Sequence, residues 1–321
     1  MPKSLEPKSP EHWERRIGRR IRLRDLHVLL TVVQCGSMAK AALRLAVSQP
    51  AVSKAIADLE HTLHVRLLDR NPQGVEATLY GRTLVRRGLA VFDELRQGVD
   101  EIEFSADPSV GEIRIGCAET VSATLLPVVI KQLSDRYPKL KLQVAQTNPN
   151  ALDFQHLRER NIDLMIGRIA PSIAEDDLDV EILFRERMII VAGAQSKWAR
   201  RRKLELADLV DAAWILTPTL LVDEAFRARG LEPPEPSVST FSFYLREMLL
   251  TTRDYISAVP ASMLHAFNSR GVAVKPLAVE LGVDAHPVAI ITLTNRTLSP
   301  AVELFIDSVR AAGKSMAEAS K

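Results

Sequence analysis

Ser48-Gln49-Pro50-Ala51-Val52-Ser53-Lys54 decides the reading of this chain, because it opens the last of three short helical patterns between Leu23 and Arg70. In the first pattern, Leu26, Leu29, Leu30 and Val33 fall at i, i+3, i+4 and i+7. They form an apolar stripe that Gly36 closes as a left-handed cap would. Ser37 is placed to cap a second helix over Met38 to Leu45, whose Ala41 and Ala42 let a neighbouring helix approach closely. After the turn Ala46-Val47, Ser48 caps the third helix, and Pro50 is tolerated there because first-turn amides have no partner inside the helix. Val52, Ile56, Leu59 and Leu63 make its buried stripe, leaving Gln49, Ser53, Lys54 and Ala57 on a small, polar, cationic outward face.

Helix, tight turn and helix with that outward face suit a DNA major groove about 12 Å wide. Gln49 is long enough to reach base edges, Ser53 suits a base or a phosphate, and Lys54 supplies charge. On these residues alone a three-helix bundle that merely packs is an equal alternative. The longer run tips the balance: Gly36-Ser37-Met38-Ala39-Lys40-Ala41-Ala42, Val47 to Lys54, Leu59-Glu60 and Arg66-Leu67-Leu68-Asp69-Arg70 resemble, in register, the winged helix-turn-helix of LysR-type transcriptional regulators. The resemblance implies that Gln49, Pro50, Ser53 and Lys54 face the groove, with Ser37, Lys40 and Ser48 beside them, and that Arg66 and Arg70 make wing and backbone contacts. The sequence departs from the family at His64, where Gly is usual, and at Tyr80, where Glu or Ala is usual.

Charge divides the chain in the same way. Residues 1–92 hold 16 Lys or Arg against 8 Asp or Glu, leaving 26 against 32 for the remainder, so a basic head sits on an acidic body. That asymmetry suits a polyanionic partner for the head only. A length of 321 residues accommodates two or more domains with their own cores. No apolar run reaches 18 residues and the N-terminus carries no apolar core, so the expectation is a cytoplasmic chain without membrane span or signal peptide. Cys35 and Cys117 make no disulfide framework and read as structural thiols; an alternative is a redox-sensing Cys117, which requires exposure and a lowered pKa. His61 and His64 are three apart without a third ligand, and no phosphate-loop, dinucleotide or nucleophile-elbow motif occurs, so neither an enzyme nor a metal or cofactor is expected.

Residues 1–20 read as a flexible leader in which Arg15, Arg16, Arg19 and Arg20 add phosphate contacts or simply solvate the chain; the winged unit covers 21–80. From Thr78, a possible N-cap, one long helix runs to about Phe104. Leu84, Gly88, Val91, Leu95, Gly98 and Ile102 alternate at gaps of four and three, a narrow seam that asks for a partner helix. In the resembled family this linker, 81–105 here, dimerises the chain. The two glycines weaken the helix or mark close crossings. Ser105 to Ser109 is a hinge.

Beyond it, strands alternate with helices: 112–117 strand, 125–137 helix, 140–146 strand, 151–160 helix and 162–167 strand, an order that predicts a parallel sheet. A second set runs through 188–192, 214–216, 222–230, 238–241, 243–250, 256–259 and 272–274. The chain then returns with 288–294 and a last helix over 301–312. The fold class is thus α plus α/β: a winged helix-turn-helix, a linker helix, and a two-lobed effector domain over 110–312 that resembles periplasmic binding proteins. Its lobes are about 110–184 with 284–312 and about 185–283, and 313–321 is a tail.

Strand ends place the candidate effector residues: Glu119, Thr120 and Ser122 in the loop 118–122, then Gln146 and Asn148, and, by family resemblance, Thr217, Thr219 and Phe243. Such residues suit hydroxyl-rich ligands, and the runs 68–76, 79–82 and 92–98 are similar to the galactose-binding-protein regulators within the LysR type, which favours a sugar. Arg168 near the cleft keeps aromatic or other small carboxylates as the runner-up. The partners implied are double-stranded DNA, a small-molecule effector, a second copy in a homodimer or homotetramer, and RNA polymerase. A solute-binding protein fits the second half alone but not the basic head.

Overall fold

The computed structural model describes residues 20–71, 74–147, 154–169, 175–218 and 221–319. These fall into two compact units, the first ending at Arg96 and the second starting at Gln97.

In the first unit, α1 (Leu23–Cys35) ends at Gly36 in the left-handed region (φ 61°, ψ 13°), as its sequence requires. Ser37 accepts a hydrogen bond from the Lys40 amide (3.5 Å) and starts α2 (Met38–Arg44); Ser48 does the same for the Ala51 amide (3.4 Å) and starts α3 (Gln49–Leu63). Leu29, Val32, Ala41, Val52, Ile56 and Leu59 close a dry core between the three helices. The ribbon β1 (Leu68–Asn71) and β2 (Gly74–Ala77) follows, antiparallel, with Arg70 opposite Val75. Among the bonds that hold it, Val75 donates its amide to the Gly36 carbonyl (2.9 Å), and buried Leu67 and Leu68 both donate their amides to Glu60 Oε1 (2.7 and 3.2 Å). Thr78 then accepts from the Gly81 amide (3.0 Å) and caps α4 (Leu79–Ala106), the predicted linker helix.

The second unit carries two five-stranded sheets. β3 (Gly111–Ala118), α5 (Glu119–Thr124), α6 (Leu126–Arg136), β4 (Leu140–Thr147), α7 (Gln155–Arg158), β5 (Leu164–Arg168) and β6 (Leu178–Phe184) begin the first. β7 (Arg187–Gly193), β8 (Ala213–Leu216), α8 (Leu221–Arg227), β9 (Pro236–Ser239), α9 (Phe243–Thr252), β10 (Tyr255–Pro260), α10 (Ala261–Ser269) and β11 (Val274–Asp284) make the second. β12 (Val288–Leu293) and α11 (Pro300–Ala319) then return to the first. The strand orders are β4-β3-β5-β12-β6 and β11-β7-β10-β8-β9. Two lobes joined by two crossings result, each lobe with its own core.

Several expectations are corrected here. Neither sheet is purely parallel: β12 runs antiparallel to β5 and β6, and β7 antiparallel to β10 and β11, because the chain enters those strands by direct crossings rather than through βαβ units. The stretch 118–122 is not a loop, since Glu119–Thr124 is already helical, and the helix predicted over 125–137 is shortened to Leu126–Arg136. Of the helix predicted over 151–160 the structure describes Gln155–Arg158; 151–153 lie outside the described residues, as do Arg15, Arg16 and Arg19. The last helix does not stop at 312: it continues to Ala319, with Met316 and Ala317 packed on the first lobe's core, so most of the expected tail is helix. β6 is a strand that the sequence reading does not name, although Leu178-Asp179-Val180-Glu181-Ile182 alternates apolar with polar as a half-buried strand does; only Leu178 and Phe184 at its ends are buried.

Candidate functional site

On the first unit, Lys40, Ser48, Gln49, Pro50, Lys54, Arg66 and Arg70 are exposed. Gln49, Pro50 and Lys54 stand on α3 away from the stripe of Val52, Ile56, Leu59 and Thr62 that the core buries. Arg20, Arg22 and Arg24 line one concave surface with Lys54, so cationic charge extends from α3 to the start of α1. Ser37 and Ser48 spend their hydroxyls on caps, and half-buried Ser53 donates to the Met38 sulfur (3.4 Å), so these serines shape the surface more than they extend from it. His64, one of the two departures from the resembled pattern, ends α3 in the left-handed region (φ 56°, ψ 33°), the backbone that Gly normally supplies.

On the second unit, a cleft of about 290 Å³ opens between the lobes, lined by Glu119, Thr120, Gln146, Thr147, Thr217, Phe241 and Arg246. β3 delivers Glu119 and Thr120, β4 delivers Gln146 and Thr147, and β8 delivers Thr217, each at the carboxyl end of a parallel strand. Arg246 projects from α9, whose start is fixed by Ser242 accepting from the Leu245 amide (3.2 Å). The residue is 2% exposed; Nη2 donates to Thr217 Oγ1 (2.7 Å) and to the Thr240 carbonyl (3.0 Å), while Nε has no partner. Burial pushes Arg246 down to about 10, with the charge of Glu119 acting against that shift. Glu119 Oε2 is likewise enclosed without a hydrogen-bond partner.

Of the candidate effector residues, the cleft therefore brings together Glu119, Thr120, Gln146 and Thr217. Asn148 and Thr219 lie outside the described residues. Ser122 turns back on its own helix and donates to the Glu119 carbonyl (2.8 Å). Phe243 is a correction: as the first residue of α9 it packs into the second lobe's core, its ring stacked on Phe267 at 5.0 Å and covered by the Arg270 guanidinium at 4.7 Å. Phe241, two residues earlier and outside the helix, takes the cleft position. Arg168 is a second correction. It is held by the buried Glu186 carboxylate and by the His286 carbonyl (3.0 Å) at the crossings, away from the cleft lining. Arg246 and Thr147 were missed; an arginine inside the apolar run Phe243 to Leu250 was the available signal for the former. Cys117 is buried in the first lobe's core and burial pushes its thiol up to about 12, the opposite of what redox sensing needs.

Comparison with known proteins agrees with this division. The model of the bacterial regulatory helix-turn-helix protein, lysR family, matches residues 23–82, and that of the LysR substrate binding domain matches residues 106–314. The chain belongs to the LysR family of transcriptional regulators. It is 29% identical over 310 residues to the HTH-type transcriptional regulator GbpR of Azospirillum brasilense, covering 94% of this chain and 89% of that one. It is also 29% identical over 298 residues to the uncharacterized regulator YdcI of Escherichia coli K12, covering 91% and 96%. Among solved LysR-type folds it resembles a full-length OxyR variant from Pseudomonas aeruginosa (TM-score 0.66, 20% identity, 92% and 95% covered) and full-length CbnR complexed with its target DNA (TM-score 0.52, 22% identity, 91% and 100% covered). This LysR-family chain thus pairs a DNA-binding winged helix-turn-helix with an effector-binding unit. Among its described residues no single helix is long and apolar enough to cross a membrane.

Proposed function

We propose that this LysR-family regulator reads half-sites of an inverted repeat with α3 and is switched by a small molecule closing the cleft between its lobes, so controlling genes of uptake or catabolism. The exposed face of α3 carries the reading: Gln49, Pro50 and Lys54 point outward while the opposite stripe is buried. Arg66 and Arg70 flank that face as backbone contacts, and Lys40 lies beside it. The chain acts in the cytoplasm by binding rather than catalysis. Two copies joined along α4, or two such dimers, present paired recognition helices, and closure of the cleft shifts a pre-existing equilibrium in their spacing and in DNA bend. RNA polymerase is the partner through which a change in bend reaches transcription.

The effector reading is a sugar, supported by the hydroxyl- and amide-rich lining of Thr120, Gln146, Thr147 and Thr217 with Phe241 as an apolar wall. Arg246 supports a second reading, a small carboxylate, in place of Arg168. Lys54→Ala tests the DNA face: operator affinity should fall and the salt slope should shrink by about one. Unchanged affinity and slope would remove α3 from the groove.

A further inference from the structure

The cleft holds two full charges that face it from opposite lobes. Glu119 comes from the first lobe and Arg246 from the second, both line the same 290 Å³, and each has a buried polar atom without a partner: Oε2 of the one and Nε of the other. They interact through space, since the carboxylate of Glu119 acts on the titration of Arg246. Arg246 is also partly spent, because its Nη2 is bound to Thr217 and to the Thr240 carbonyl.

A ligand carboxylate entering such a site must shed its hydration, a cost recovered only against a cation whose charge is free. Here the attraction of Arg246 is opposed by the repulsion of Glu119 across the same small volume. An uncharged ligand meets no such opposition. Its hydroxyls donate to Glu119 and accept from Arg246, giving charge-assisted bonds to both, while Gln146, Thr120 and Thr147 serve the remaining hydroxyls and Phe241 covers an apolar face.

We infer that Glu119 is the specificity determinant of this cleft: it cancels the charge of Arg246, so the site takes a net-uncharged, hydroxyl-rich small molecule and rejects the corresponding carboxylate. This rests on the cleft being the effector site. Removing the Glu119 charge should then convert a sugar site into a sugar-acid site.

The test is calorimetric titration of the full-length protein with neutral hexoses and pentoses, each matched to its own aldonic and uronic acid, and with amino acids as dipolar controls. Wild type should bind at least one neutral sugar ten-fold or more tightly than either matching acid. Glu119→Gln should reverse the order, raising the acid at least ten-fold relative to its sugar. An acid bound as tightly as its sugar by wild type, an unchanged ratio in the variant, or a wild type that binds only amino acids or no neutral sugar, each overturns the proposal. Arg246→Met and the milder Thr217→Val, both checked for native circular dichroism, separate this from failure of the site itself. If binding of the preferred ligand survives Arg246→Met and Thr217→Val, the effector lies elsewhere. If binding is lost there but the ligand proves to be the acid, the cleft stands and the charge rule falls.

Discussion

His64 shows what a single residue contributes here. It ends α3 in a conformation that costs an L-residue about 1–2 kcal/mol, and the glycine usual in the family would avoid that cost. His64→Gly should therefore stabilise the winged unit by about 1 kcal/mol after the added chain entropy of glycine is subtracted. Native-state hydrogen exchange of the α3 amides under rising urea reads this directly. Weaker protection in the variant would mean that the His64 ring, which lies 5.9 Å from that of His61, stabilises the fold by more than its backbone costs. The same scale explains where the sequence misled about the cleft. Phe241 and Phe243 are both aromatic and two residues apart, and only the start of α9 at Phe243 decides which of them is core. Arg168, which the sequence offers for the cleft, and Arg246, which it does not, are separated by a non-local fact: Glu186 reaches the first and Glu119 faces the second.

At the level of elements, the three helices of the winged unit were legible because their determinants are local, whereas the bounds and pairing of its two strands were not. Stripe spacing, Ser caps and a left-handed Gly lie within a turn of the helices they delimit. The lobes were legible in outline only, since strand direction and the existence of β6 depend on partners more than a hundred residues away, as in the pairing of Val180 with Ile291. The linker α4 sits between these cases. Of its predicted seam, Gly88 is a close crossing within the first unit, where an added Cβ would stand 2.9 Å from the Leu26 side chain. Val91, Leu95 and Ile102 remain 42%, 49% and 71% exposed, an apolar line that a single helix does not bury. Leu95→Glu places a charge in that line and should shift the protein toward monomer in sedimentation velocity while leaving its circular dichroism native, because an exposed site loses no packing in the single chain; thermal stability should fall only by what the lost partner contributed. An unchanged oligomer would move the dimer contact off α4.

Across the molecule's effector unit, the two crossings carry a buried charge network that ties the lobes together. Glu186, on the first crossing, accepts from the Ser262 amide (2.7 Å) and hydroxyl (3.0 Å) at the start of α10, and pairs with Arg168 at the end of β5. Arg168 also donates to the carbonyl of His286 on the second crossing (3.0 Å), and Ala285 donates to the Glu186 carbonyl (2.9 Å). Glu186 thus joins a strand of the first lobe and a helix of the second through its carboxylate, and the second connection through its backbone carbonyl. Removing one partner of a buried pair leaves an uncompensated charge and costs about 3–5 kcal/mol, whereas removing both costs much less. Arg168→Met should accordingly lower the thermal stability of the effector unit strongly. The double variant Arg168→Met with Glu186→Gln should recover most of the loss, a coupling that a double-mutant cycle measures. If the network also sets the lobe angle, the recovered double variant will fold yet bind its effector with altered affinity, although neither residue lines the cleft. Additive losses in the cycle would reduce the pair to two separate contacts, and unchanged effector affinity in the double variant would leave the crossings as covalent tethers with no part in closure.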